Sequence, residues 1–121
     1  MTFGARLRQL RRERHLNQRT LAARVGIDFT YLSKLENGRL DPPAADTIAR
    51  LADALGADAD ELLLLAGKVP ADLVPIITRS PQWPAFLRSI GDLTDAELRV
   101  LAALAREIRA RRGQQRGGRG R

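Results

Sequence analysis

The stretch from Gln18 to Gly38 reads QRTLAARVGIDFTYLSKLENG. Asn17, just before it, is placed to cap a helix over Gln18 to Val25, because its side-chain oxygen can accept from a free first-turn N–H. Leu21, Ala22 and Val25 recur on one face of that helix. Gly26 stops it, since glycine takes a positive φ without a steric penalty. Asp28 caps a further helix, about Phe29 to Glu36, with Leu32 and Leu35 inward, and Asn37-Gly38 ends it. Small Ala22 lets the two helices approach, and Ile27, Leu32 and Leu35 lock the second onto the first.

Outward from this unit the chain reads as more short helices. Phe3, Leu7 and Leu10 give an apolar face to a helix from Thr2 to Arg14, with Thr2 as its cap. Asp41-Pro42-Pro43 leads rigidly into a helix over Ala45 to Leu55, with Ile48, Leu51, Ala52 and Leu55 inward. Gly56 ends it, and Asp58 with Glu61 forms a box-like cap for a fifth helix, Ala59 to Ala66. Gly67 begins a change of character, because Pro70, Pro75, Pro81 and Pro84 leave only a linker or short irregular helices. A helix from Pro84 to Ile90 is expected, ended by Gly91. Thr94-Asp95-Ala96-Glu97 is a capping box ahead of a helix to Arg112, striped by Leu98, Leu101, Leu104, Ala105 and Ile108. The spacing therefore predicts an all-α chain: residues 1–67 as one domain, 68–112 as a helical extension, and 113–121, GQQRGGRGR, as a basic, low-complexity, disordered tail.

Composition excludes several function classes. The chain has 121 residues, no cysteine and a single histidine, His15, read as a surface residue of a turn. Thiolate metal sites, cysteine nucleophiles and multi-histidine centres are thereby absent, and no metal, cofactor or catalytic residue is expected. Aromatics are 4%, so the core is aliphatic. No apolar run approaches the ~18 residues of a membrane span, and MTFGARLRQLRRER lacks a hydrophobic signal core. A cytoplasmic protein is expected. Net charge is +7, unevenly spread. Residues 1–40 carry nine Lys/Arg against three Asp/Glu, residues 41–107 six against eleven, and residues 108–121 six against none. Basic ends around an acidic middle suggest a polyanion partner, nucleic acid most simply, with plain solubility charge as the alternative.

The order helix, glycine turn, helix is that of a helix-turn-helix. With it come L-R-x-L-R in the first helix, L-N-Q-x-x-L-A, V-G-I, Y-L-S-K-L-E-N-G-R and I-A-R-L-A-D-A-L-G. On these words the first 66 residues resemble the Cro and lambda-type phage-repressor helix-turn-helix family, also called the XRE family. The resemblance implies a five-helix lambda-repressor-like domain that docks double-stranded DNA, usually as a homodimer, in a bacterial or phage setting at the nucleoid. Ala44 departs from the pattern, which often has Ser or Thr there as a cap; Asp41 one turn earlier, or Pro43, is left to set the start of the fourth helix.

In such a domain the third helix enters the major groove. One face of it carries Phe29, Thr30, Ser33 and Lys34, the expected base contacts. Lys34 can donate to guanine and Phe29 can pack on a thymine methyl. Phe29 has a core or interface role as its alternative, and Lys34 a phosphate contact or a solvated charge. Gln18, Asn37, Arg39, Arg11, Arg19 and Arg24 are the expected phosphate contacts, with a solvated face as the alternative for each arginine. Glu36 is read as satisfying positioning hydrogen bonds, to Arg12 or Arg39. In the extension, Trp83, Phe86, Leu87, Ile90, Leu98, Leu101, Leu104 and Ile108 are expected to pack on a second protomer. Packing on the chain's own domain, or on another protein, is the alternative. The function expected is a sequence-specific regulator, a repressor on an inverted repeat. The alternatives are an antitoxin-type regulator with a protein partner and a sequence-independent nucleic-acid binder.

Overall fold

The structure, a computed structural model, describes residues 1–119, and among them there is no strand. Five helices open the chain: α1 (Phe3–Glu13), α2 (Gln18–Val25), α3 (Phe29–Glu36), α4 (Ala45–Leu55) and α5 (Ala59–Leu65). Their starts follow local chemistry. Thr2 Oγ1 accepts from Ala5 N at 3.2 Å, Asn17 Oδ1 from Thr20 N at 2.8 Å, and Asp28 Oδ1 from Thr30 N at 2.7 Å. Gly26 ends α2 in the left-handed region, φ 81°. Ala44 stands at the N-cap of α4 with no side-chain hydrogen bond, so Asp41 does not cap that helix; buried Pro43 precedes it. Asp58 caps α5, accepting from Asp60 N at 2.9 Å, but Glu61 does not complete a box. It takes a hydrogen bond from Arg6 Nε of α1 instead, because the packed helices bring a guanidinium within reach.

The aliphatic faces meet in one core. Leu7, Leu21, Leu32, Leu35, Ile48, Leu51, Leu55 and Leu62 are fully buried there, joined by Phe3, Leu10, Ala22, Val25, Ala52 and Leu63. Burying each leucine, isoleucine, valine or phenylalanine side chain among them contributes about 1.5–3 kcal/mol. α1 and α3 pack so closely that a Cβ on Gly4 would strike the Leu35 carbonyl oxygen and lie 2.9 Å from that of Glu36.

Beyond α5 come a 3-10 helix (Ala71–Leu73), α6 (Val74–Ile77), α7 (Gln82–Ile90) and α8 (Asp95–Arg119). Met1–Ile76 form one compact unit, and a second begins at Ile77. The expected capping box of α8 is present: Thr94 N donates to Glu97 Oε1 at 2.9 Å, and Glu97 N to Thr94 Oγ1 at 3.1 Å. α8 passes its expected end at Arg112, so the tail expected to be disordered is helical to Arg119. No proline interrupts it, and Glu107 pairs with Arg111 at 2.7 Å across one turn. The rest of that tail, Gly120 and Arg121, lies outside the described residues.

Candidate nucleic-acid interface

α3 divides into two faces. Leu32 and Leu35 are buried, and Tyr31 and Ile27 pack partly against the same core. Outward, Thr30 and Lys34 are exposed and Ser33 is half-buried. Phe29 is 40% exposed, so it is no core residue. The Arg19 guanidinium of α2 lies over its ring, 4.7 Å from the centroid, which ties the first residue of α3 to the helix before it. The structure thus brings Phe29, Thr30, Ser33 and Lys34 to one accessible side.

At its other end α3 is held by a charge. The Glu36 side chain is 0% exposed, in the one buried charged residue among those described. Arg11 of α1 meets it with two donors, Nε to Oε2 at 2.7 Å and Nη2 to Oε1 at 2.9 Å. Gln18 Nε2, in the first turn of α2, donates to Oε1 at 3.2 Å, and Arg8 Nε lies 3.5 Å from the same oxygen. A buried carboxylate is tolerable only when paired and hydrogen-bonded in this way. Hydrogen bonding to Glu36 also raises the Arg11 guanidinium above its ordinary value.

This network corrects one expectation and redirects another. Glu36 accepts hydrogen bonds from Arg11 and Gln18 and forms an ion pair with Arg8, not with Arg12 or Arg39, which are both exposed. Arg11, expected among the phosphate contacts, has an 11% exposed side chain. Its third donor, Nη1, goes to the Leu16 carbonyl at 2.9 Å. Bidentate pairing with an anion inside the fold commits its fork to positioning. Gln18 still begins α2, where backbone N–H groups are free, while its side chain reaches Glu36. Arg24 is exposed in the last turn of α2, Arg39 is exposed just past α3, and Asn37 Oδ1 accepts from Arg8.

In the second unit no described side chain is buried. Trp83 and Ile90 on α7 are half-buried, and Phe86 and Leu87 are exposed. The Arg79 guanidinium lies 5.4 Å from the centre of the Trp83 ring system. On α8, Leu101 is half-buried while Leu98, Leu104 and Ile108 are 48–55% exposed. Among the described residues no helix is long and apolar enough to cross a membrane, and no three His, Cys, Asp or Glu side chains are grouped to hold a metal.

The sequence profile of the helix-turn-helix domain family matches residues 2–65. The chain belongs to that family. Its relatives include RghRB of Bacillus subtilis, an HTH-type transcriptional regulator, 41% identical over 69 residues that make up 57% of this chain and 50% of RghRB. The regulator y4dJ of Sinorhizobium fredii is 41% identical over 76 residues, 63% of this chain and 91% of y4dJ. DdrOP3 of Deinococcus deserti, also an HTH-type regulator, is 33% identical over 105 residues, covering 74% and 81% of the two chains. The chain spans about half the length of RghRB and of the repressor RghR. Among solved structures, the SinR protein/SinI protein complex contains a similar fold, with TM-score 0.50 and 17% identity over 90% of this chain and 99% of that one.

Within this helix-turn-helix domain, Arg8 is the positioning residue that the sequence reading missed. It reaches both Glu36 and Asn37, from the face of α1 that carries Arg11 three residues on. That i, i+3 pair of arginines on one face of α1 was the available signal. Arg50 was missed too; its Nη1 donates to the Val25 carbonyl at 3.0 Å, closing the end of α2 from α4.

Proposed function

We propose that this helix-turn-helix protein is a DNA-binding transcriptional repressor that acts as a dimer on an inverted repeat. α3 lies in the major groove with Phe29, Thr30, Ser33 and Lys34 toward base edges, and Gln18, Arg19, Arg24, Asn37 and Arg39 meet phosphates. The observation that carries this reading is the contrast between the two faces of α3: one locked by core leucines and the buried Glu36, the other polar and open. A rigid helix can hold side chains in register with base pairs, which a loose one cannot. The first forty residues supply +6 of charge toward a polyanion. Repression follows by steric occlusion where the half-sites, about 34–36 Å apart, overlap a promoter. Pairing of protomers is assigned to the open apolar side chains of the second unit. The cell compartment that holds this DNA, bacterial or phage-occupied cytoplasm, is the proposed location.

In vitro selection from random duplex DNA near physiological salt tests the reading. Enrichment of an inverted repeat is expected, and its spacing reports how the two α3 helices are set. Enrichment of nothing, with shifts abolished by competitor DNA, counts against it. The exposed Phe86 and Leu87, beside half-buried Trp83, favour a second reading, in which the second unit engages a different protein and the first still binds DNA. Copurification of a distinct protein in fixed ratio, lost on Phe86→Ser, would select it.

A further inference from the structure

One face of α8 changes its chemistry partway along. Leu98, Leu101, Ala105 and Ile108 succeed one another at steps of three, four and three, which keeps them on one side of the helix. The next step of four lands on Arg112, and Arg109 lies four beyond Ala105. In the sequence the same spacing continues to Arg116 and Arg119. Arg109 and Arg112 are exposed. Residues 108–121 hold six arginines and no acid to neutralise them. Glu107, the last acid in the chain, is engaged by Arg111, which lies elsewhere on the helix.

An apolar seam along this face ends at Ile108, because guanidiniums are not buried without partners. Beyond Ile108 the face carries forked cations matched to phosphate oxygens. Residues 109–121 contain no aromatic side chain, so they offer single-stranded bases nothing to stack on. That favours the backbone of a duplex over single-stranded RNA. We propose that the end of α8, from Arg109 onward, is a second contact for duplex DNA, one that grips phosphates and reads no sequence. It rests on the reading that the first unit binds a duplex. It gives the chain affinity for all DNA alongside preference for one site.

The test compares the full chain with an Arg109→Gln/Arg112→Gln/Arg116→Gln variant on a selected duplex and a shuffled one, over a salt series. Glutamine keeps helix propensity, and far-ultraviolet circular dichroism confirms that α8 persists. The expected result is a log–log salt slope shallower by about 0.9 per arginine on both duplexes, and binding about five-fold weaker per arginine near 150 mM salt. Preference for the selected duplex stays unchanged. An unaltered slope overturns the contact, and persisting preference then leaves the first unit's role standing. A wild-type chain with no preference for any duplex, but with the arginine-dependent slope, overturns the first unit's role and supports the α8 contact. Equal slope loss per residue from Arg106→Gln/Arg111→Gln overturns the assignment to this face. Single-stranded RNA that competes better than duplex overturns the choice of partner.

Discussion

A carboxylate beneath the surface proposed to face DNA would repel that ligand unless its charge were met inside the protein, and Arg11 meets that of Glu36 through two hydrogen bonds. Removing one partner of a buried pair leaves an uncompensated charge, at a cost of about 3–5 kcal/mol for the driest pairs. Arg8 and Gln18 remain beside Glu36, so Arg11→Ala should destabilise the first unit by about 3 kcal/mol, read as a fall in the urea midpoint at constant slope. Arg11→Leu combined with Glu36→Leu should cost less than the sum of the two single changes; strict additivity would show that the pair does not act as one. Lys34 is exposed on the outer face, and the opposite behaviour is expected of it. Lys34→Ala should leave the urea midpoint nearly unmoved while weakening the selected site by about 1–3 kcal/mol and relaxing one base position. Unchanged base preference would remove it from the readers. At this scale the sequence was legible wherever partners are near in the chain. Thr2, Asn17 and Asp28 each cap a helix two or three residues on. Glu36 finds its partners 25 and 18 residues away, a pairing that only the packed helices create.

Between elements, the approach of α1 to α3 is set by Gly4. Alanine is the better helix former by about 1 kcal/mol, yet its methyl would meet two backbone carbonyls that cannot turn aside. Overpacking costs about 1–3 kcal/mol and more where backbone is struck, so Gly4→Ala should destabilise by about 2 kcal/mol net. A stabilised Gly4→Ala protein would show that the two helices separate freely. Because that methyl would push α3 out of its seat, the selected duplex should also be bound less tightly. At the start of α8 the control is electrostatic. The Thr94 backbone N–H, and then the Thr94 hydroxyl, hold the Glu97 carboxyl below the usual carboxylate range. A lowered carboxyl stabilises the folded form above the ordinary range, and that contribution is lost as pH falls through the lowered value. Helix content of the chain should therefore drop in acid, and Glu97→Gln should lack that part of the drop. An identical acid profile in both proteins would discount the box. The box itself was legible, since T-D-A-E keeps all its partners within one turn. The end of α8 was not: Gly113, Gly117 and Gly118 each disfavour helix by about 1 kcal/mol, but with no proline to break it the helix continues to Arg119.

Over the whole molecule, the two units differ in what they bury. Met1–Ile76 contains every buried leucine, so it has the core of an independent domain. From Ile77 on, the described side chains bury nothing fully, though the helices carry Trp83, Phe86, Leu87, Leu98, Leu104 and Ile108. Helices of this kind gain most of their stability from packing an apolar face, not from propensity. A second protomer supplies that packing in the proposed dimer, and a specific pairing needs about 1,200–2,000 Å² buried in total. A chain truncated after Ile76 should therefore keep the cooperative unfolding of the first unit yet sediment as a monomer. The full chain should sediment as a dimer whose helix content and mass fall together on dilution, because folding of the second unit and association are then one equilibrium. On an inverted repeat the truncated chain loses the linkage between half-sites, so its half-saturation point should move to higher concentration by about 10²-fold or more. On a single half-site the two proteins should differ only by the electrostatic share of α8. A truncated chain that still sediments as a dimer would place the pairing surface in the first unit and leave the apolar stripe of α7 and α8 to another protein.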